Sequence, residues 1–176
     1  MKKLEEYVRT IPDFPEPGIM FRDVTSVLQD ADGFALAVDT MLDQVKDLEF
    51  DAICGAEARG FLFGAAMAYK LHKPILLARK KGKLPCETVS QTYDLEYGQA
   101  TIEMHKDTVK PGWKVLLVDD LMATGGTLEA MVKLTEKLGG KPVGVSVLME
   151  LKGLKGRAKI EDMGCPVFAA ISYDGK

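Results

Sequence analysis

The densest chemistry in the chain lies in Val115-Leu116-Leu117-Val118-Asp119-Asp120-Leu121-Met122-Ala123-Thr124-Gly125-Gly126-Thr127. A buried-strand candidate ends in two carboxylates, and a loop of small residues then opens a helix. In a parallel α/β sheet, ligands bind outside the carboxyl ends of the strands. A Gly-Gly loop before a helix N-terminus turns backbone N–H groups toward an anion, and the helix dipole adds to the attraction. Ala123, Thr124, Gly125, Gly126 and Thr127 thus form a candidate phosphate cradle, with the two threonine hydroxyls as further donors. The Gly-x-x-x-x-Gly-Lys-Ser/Thr pattern and its lysine do not occur here, which disfavours nucleoside triphosphate hydrolysis. Asp119 and Asp120 should repel a phosphate, so their partner is rich in hydroxyls or brings a metal ion. A ribose 5-phosphate fits, its phosphate on the loop and its 2- and 3-hydroxyls donating to the carboxylates. An Asp-Asp pair alone would be no more than a solvated turn; its coincidence with Ala-Thr-Gly-Gly-Thr carries the argument.

The elements that must hold this loop follow from apolar runs alternating with helix-period segments. Asp51–Gly55, Pro74–Arg79, Lys114–Val118, Pro142–Met149 and Val167–Ile171 read as strands. Phe61 to about Leu71 reads as a helix, as does the segment carrying Leu128, Met131, Val132, Thr135 and Leu138, stopped by Gly139-Gly140. This alternation predicts an α/β fold, a mostly parallel twisted sheet with helices on both faces. Two regions break it. Pro12 to Asp23, with three prolines around Phe14 and Phe21, predicts a flap or hood over about residues 1–30, Phe14 serving as its anchor. Gly82 to Gly98 has no helical period, though Thr101 to His105 alternates like a strand. The stretch over about residues 82–105 predicts either a long lid loop or an ordinary β-hairpin excursion. No repeat or linker divides the chain, so one domain over residues 1–176 is expected.

Composition narrows the classes. The 176 residues are 47% hydrophobic and 28% charged, values of a folded globular chain, not a disordered or fibrous one. A net charge of −3 argues against a protein whose main work is holding nucleic acid. No apolar run approaches the ~18–20 residues that cross a bilayer, and Met1-Lys2-Lys3-Leu4-Glu5-Glu6 has no signal-peptide core. Cys54, Cys86 and Cys165 are odd in number and form no Cys-x-x-Cys pair, which points to a reducing, cytoplasmic setting. His72 and His105 are too few and too far apart for a His-rich metal site.

Val115 to Thr127 resembles the phosphoribosyl pyrophosphate motif of the type I phosphoribosyltransferases. The match extends to Phe14-Pro15-Glu16-Pro17-Gly18-Ile19-Met20-Phe21-Arg22-Asp23, Glu57-Ala58-Arg59-Gly60-Phe61, Lys83-Leu84-Pro85 and Tyr93-Asp94-Leu95-Glu96-Tyr97-Gly98. These resemble the adenine phosphoribosyltransferases over nearly the whole chain, with departures only at Met122 and Lys81. The resemblance implies the family's fold, a homodimer, and a reaction in which adenine and phosphoribosyl pyrophosphate give AMP and pyrophosphate with Mg2+, held mainly by the substrate.

It also implies roles. Glu57, Ala58 and Arg59 form a loop with a non-proline cis peptide between the first two, and Arg59, between a strand end and a helix, meets pyrophosphate and serves catalysis. Arg79 and Lys83, from the dense cationic run Arg79-Lys80-Lys81-Gly82-Lys83, screen pyrophosphate, where an isolated run would be a solvated face. Glu96, flanked by the lid residues Tyr93 and Tyr97, is the catalytic carboxylate that meets the positive charge built on the sugar. Lid closure would exclude water. Phe21 stacks on adenine, Leu121 closes the opposite face, and the backbone at Met20 and Arg22 reads the base edge. Two rivals stand beside this: the same fold serving xanthine or hypoxanthine, and a non-catalytic regulator that senses purine metabolites. The first lacks a lysine after Phe21 for a 6-oxo group, and the second lacks room for a DNA-binding domain before the flap.

Overall fold

The computed structural model describes residues 1–95 and 97–175. A 3-10 turn at Leu4–Tyr7 leads into a small antiparallel hairpin, β1 (Arg9–Pro12) and β2 (Met20–Asp23). There follow α1 (Thr25–Leu28), α2 (Ala31–Gln44), β3 (Ala52–Ala56), α3 (Arg59–Leu71), β4 (Ile75–Lys80), β5 (Thr88–Asp94) and β6 (Gln99–His105). β7 (Lys114–Met122), α4 (Gly126–Lys137), β8 (Lys141–Leu151), a 3-10 turn at Lys152–Leu154, α5 (Gly156–Glu161) and β9 (Val167–Tyr173) complete the order. Among the described residues one seven-stranded sheet runs β5-β6-β4-β3-β7-β8-β9. Its β4-β3-β7-β8-β9 part is parallel, and β5 and β6 add an antiparallel edge.

The chain steps outward from β3 to β4 on one side and from β7 to β8 on the other. The carboxyl ends of β3 and β7 therefore flank a topological switch point, where open α/β sheets bind ligands. β3 (AICGA) is buried at every position because helices cover both faces. On one face Leu128, Met131, Val132 and Leu134 of α4 pack with Ile160 of α5 against Val115, Leu117 and Val145. On the other, Val38 and Met41 of α2 and Phe63 and Met67 of α3 pack against Ile53, Leu116 and Val118.

Several expectations change. β7 does not end at the carboxylates: it continues through Asp119 and Asp120 to Met122, paired with β8 from Val147 to Glu150. Of the two alternatives after Gly82, the structure has the hairpin: Thr88–Asp94 pairs residue by residue with Gln99–His105. Phe14 is not buried in a core; it is 49% exposed and meets Phe21 edge-on with ring centroids 5.1 Å apart. α2 and α5 are helices that the periodic reading does not find. Asp30 caps α2, its carboxylate accepting from the Asp32 and Gly33 N–H groups at 3.0 Å.

Candidate functional site

The site begins where two helices start. α4 opens at Gly126 after Gly125, whose φ of +86° is a left-handed conformation that glycine adopts at little cost. The first N–H groups of α4 have no partner within the helix. α3 opens at Arg59 directly after a cis peptide between Glu57 and Ala58, as the resemblance implies. Gly60 lets this turn approach β7: a Cβ there would lie 2.9 Å from Asp119 Oδ1 and 3.0 Å from the Val118 carbonyl oxygen.

A cleft of about 620 Å³ lies against the end of β7. Asp119, Leu121, Ala123, Thr124, Gly125, Gly126 and Thr127 share it with Tyr93 of the hairpin. Tyr93 packs over the loop, its ring 3.1 Å from where a Gly126 Cβ would stand, and Thr127 Oγ1 donates to Tyr93 Oη at 3.0 Å.

The two carboxylates differ. Asp119 Oδ1 accepts from the Asp120 N–H at 2.8 Å. Burial first, and then the neighbouring Asp120 charge, push the Asp119 carboxyl well above the ordinary aspartate value of 3.8. Asp120 is buried, and its Oδ2 lies 2.7 Å from Arg59 Nε. That approach is a charge contact without hydrogen-bond alignment, for Oδ2 accepts no hydrogen bond among the described residues. This oxygen is closed to solvent, and Asp120, unlike Asp119, does not line the cleft.

Arg79 is bonded to Glu57 and to the backbone at Lys83. Arg79 Nε donates to Glu57 Oε1 at 2.9 Å, the Lys80 N–H donates to the same oxygen at 3.2 Å, and Arg79 Nη1 reaches the Lys83 carbonyl oxygen at 3.4 Å. Burial raises the Glu57 carboxyl, but the Arg79 and Lys80 bonds outweigh it and hold the group below its usual range. Met20, Phe21 and Arg22 all lie on β2 and are not among the residues that line the cleft. The Arg22 guanidinium lies 4.1 Å over the Tyr173 ring at the end of β9, and Arg22 Nη1 donates to Thr10 Oγ1 at 2.7 Å. Tyr97 is exposed, and Glu96 lies outside the described residues.

Sequence reasoning missed Leu154 and Lys159, which also line the cleft, and Gly156 beneath it. The available signal was the cation- and glycine-rich run Lys152-Gly153-Leu154-Lys155-Gly156-Arg157 following a strand.

Residues 25–169 match the family model described as phosphoribosyl transferase domain. The chain belongs to the phosphoribosyl transferase family. Within the family, this phosphoribosyl transferase is 63% identical to the adenine phosphoribosyltransferase of Agathobacter rectalis over 176 residues, covering 100% of each chain. Its fold is similar to the crystal structure of adenine phosphoribosyltransferase from Thermoanaerobacter pseudethanolicus, with a TM-score of 0.91 and 46% identity over 97% of this chain and 100% of that one. It is also similar to the Saccharomyces cerevisiae adenine phosphoribosyltransferase complexed with an imino-altritol bisphosphate and adenine, at TM-score 0.87 and 35% identity, covering 94% and 95%.

Proposed function

We propose that the chain transfers the 5-phosphoribosyl group of phosphoribosyl pyrophosphate to adenine, giving AMP and pyrophosphate in purine salvage. The observation that carries this is the single cleft shared by Asp119, Leu121 and the loop Ala123–Thr127 at the switch point of a parallel sheet. Relatives named adenine phosphoribosyltransferase that match over their full length support the choice of base.

In the proposed reaction the backbone N–H groups and hydroxyls of 123–127 bind the 5-phosphate. Asp119 and Asp120 accept from the ribose hydroxyls. Arg59, Arg79 and Lys83 meet the departing pyrophosphate beside the Glu57-Ala58 turn. Met20, Phe21 and Arg22 on the flap hold adenine over Leu121, and Glu96 on the lid, with Tyr93 and Tyr97, stabilises the positive sugar ring and keeps water out. A single domain carries all of this, with about residues 1–30 as flap and about 82–105 as lid.

The donor set fits Mg2+. Among the described residues no three His, Cys, Asp or Glu side chains gather into a cage, and Mg2+ favours one or two carboxylates plus substrate oxygens and water. Asp119 and Asp120 would hold it with the substrate. When bound, the ion neutralises charge on the pyrophosphate group.

The partner is a second copy of the chain. Leu62 and Tyr69, two turns apart on α3, are 47% and 90% exposed, and Leu77 on β4 is exposed as well, an apolar face suited to pairing. No helix among the described residues is long and apolar enough to cross a membrane, and three free cysteines, Cys86 exposed among them, suit the cytoplasm.

The test is AMP formation from adenine and phosphoribosyl pyrophosphate, with and without Mg2+, beside hypoxanthine and xanthine. AMP from adenine alone among the bases is expected; no product with adenine would sink the assignment.

A further inference from the structure

The phosphate loop rests on a backbone contact from outside the motif. A Cβ at Gly156 would lie 2.5 Å from the Ala123 carbonyl oxygen and 3.1 Å from the Gly125 nitrogen. Seen from the loop, a Cβ at Gly125 would lie 3.2 Å from Gly156 Cα. Backbone therefore sits on backbone, and any shift of Gly156 moves the loop.

What fixes Gly156 is its neighbour. Arg157 forks onto Glu150, Nη2 donating to Oε1 at 2.6 Å and Nε to Oε2 at 3.1 Å. Its Nη1 donates to the Val167 carbonyl oxygen at 2.7 Å and to Glu161 at 3.3 Å, and Ser172 Oγ donates to Glu150 Oε1 at 2.8 Å. Glu150 is 2% exposed on β8, directly opposite Met122, the last residue of β7 before the loop. The clamp thus spans β8, β9 and α5 and grips the residue after Gly156. A planar two-point fork fixes orientation as well as distance, which a single-point ammonium would not. Glu150 is buried but the Arg157 side chain is 38% exposed, and ion pairs open to solvent on one side add little net stability, so stability alone is a weak reason for this one. Neither Arg157 nor Glu150 lines the cleft.

We propose that Arg157 and Glu150 are positioning residues for the transfer: their ion pair seats Gly156, and Gly156 sets the N–H groups of loop 123–127 for the 5-phosphate of the donor. This rests on the assignment of that loop to the donor phosphate.

The experiment measures kcat and both KM values for wild type, Glu150→Gln, Arg157→Lys and Gly156→Ala, with ribose 5-phosphate binding and thermal unfolding of each. Small displacements at a binding loop cost up to about a hundredfold. Glu150→Gln and Gly156→Ala should raise the donor KM at least about tenfold while the adenine KM stays within about twofold. Arg157→Lys, retaining charge without the fork, should fall between them and wild type. Ribose 5-phosphate affinity should weaken in parallel. Should Gly156→Ala fail to fold, the two milder variants decide. A common rise in both KM values, or a lower Tm with both KM values unchanged, makes the clamp structural only and overturns the proposal. A wild type that binds ribose 5-phosphate but forms no AMP counts against the transferase assignment instead, and the ribose 5-phosphate affinities of the variants then decide the clamp.

Discussion

Asp119→Asn separates donor binding from folding. In the wild type this carboxyl is buried beside Asp120 and held well above 3.8. Its Oδ1 accepts from the Asp120 N–H at 2.8 Å, a bond that an amide oxygen retains. The substitution therefore removes a desolvated, repelled charge and leaves the local backbone bond in place, so Tm at neutral pH should hold or rise. Donor affinity moves the other way. A hydrogen bond to a charged group contributes about 1.5–3 kcal/mol against about 1 for a neutral one. Losing the charge at one ribose hydroxyl thus costs about 0.5–2 kcal/mol, or about two- to thirtyfold in Kd. pH adds a second signature. Because the folded state keeps this proton after the unfolded chain has released it, the group's contribution to stability falls as pH rises from 3.8 to the raised folded value. The folded protein's carboxylate forms only as pH passes through that raised value, so there wild-type donor affinity should strengthen relative to the variant, which lacks this titration. Calorimetric titration of phosphoribosyl pyrophosphate across pH, paired with thermal unfolding, reads both. A variant with unchanged donor affinity and unchanged pH dependence would refute the assignment of Asp119 to the ribose.

Glu96→Gln should lower kcat more than it raises either KM, since only interactions stronger in the transition state speed the chemical step; a higher adenine KM at full kcat would make Glu96 a binding residue. Phe21→Ala should raise the adenine KM by the loss of base stacking, about 1–3 kcal/mol, without admitting hypoxanthine, because the backbone edge at Met20 and Arg22 is retained; steady-state assays with both bases decide. Stability should fall in acid. The Thr25 hydroxyl and then Arg9 lower Asp23, the Gly82 N–H lowers Glu103, and Arg157 outweighs burial at Glu150. Carboxyls lowered in the folded state contribute stability that is present above their ordinary values of 3.8 and 4.5 and lost as pH falls through the folded ones. Urea unfolding between about pH 3 and about pH 6 should show that decline, and a flat profile would contradict it.

The strand-loop-helix unit around Asp119 was legible because three local signals agree: a run of buried branched residues, a glycine pair and a helical period after it. Other elements lack such agreement. α2 buries Gly33, Ala37, Val38 and Met41, a stripe made largely of small residues, and its glycine is needed where the Tyr7 ring packs 2.8 Å from a would-be Cβ. α5 has six residues, of which only Gly156 and Ile160 are buried, so one turn offers no period to read. β5 (TVSQTYD) lies at a sheet edge and has no buried position, so no apolar alternation marks it. Long-range pairs such as Arg157 with Glu150 depend on how the strands are ordered, which residue types cannot disclose.

The extension of β7 through both acids has its cause in the neighbouring turn. A strand that carries two carboxylates into a partly buried ladder needs compensation, and the start of α3 supplies it at contact distance. With no side chain at Gly60, the turn closes onto Asp119, and Arg59 reaches Asp120 at 2.7 Å. One carboxylate is thereby countered by a cation, and the other is left desolvated. If Arg59 binds pyrophosphate, donor binding becomes an exchange of partners. Arg59 would turn from Asp120 toward the pyrophosphate, and the ribose hydroxyls would take its place at the carboxylates. The misaligned contact at Asp120 Oδ2 makes that exchange inexpensive, since no well-formed hydrogen bond is broken. An apolar residue at Asp120 should therefore free Arg59 from the contact that holds it beside β7 before the donor arrives, and donor KM should rise for that reason.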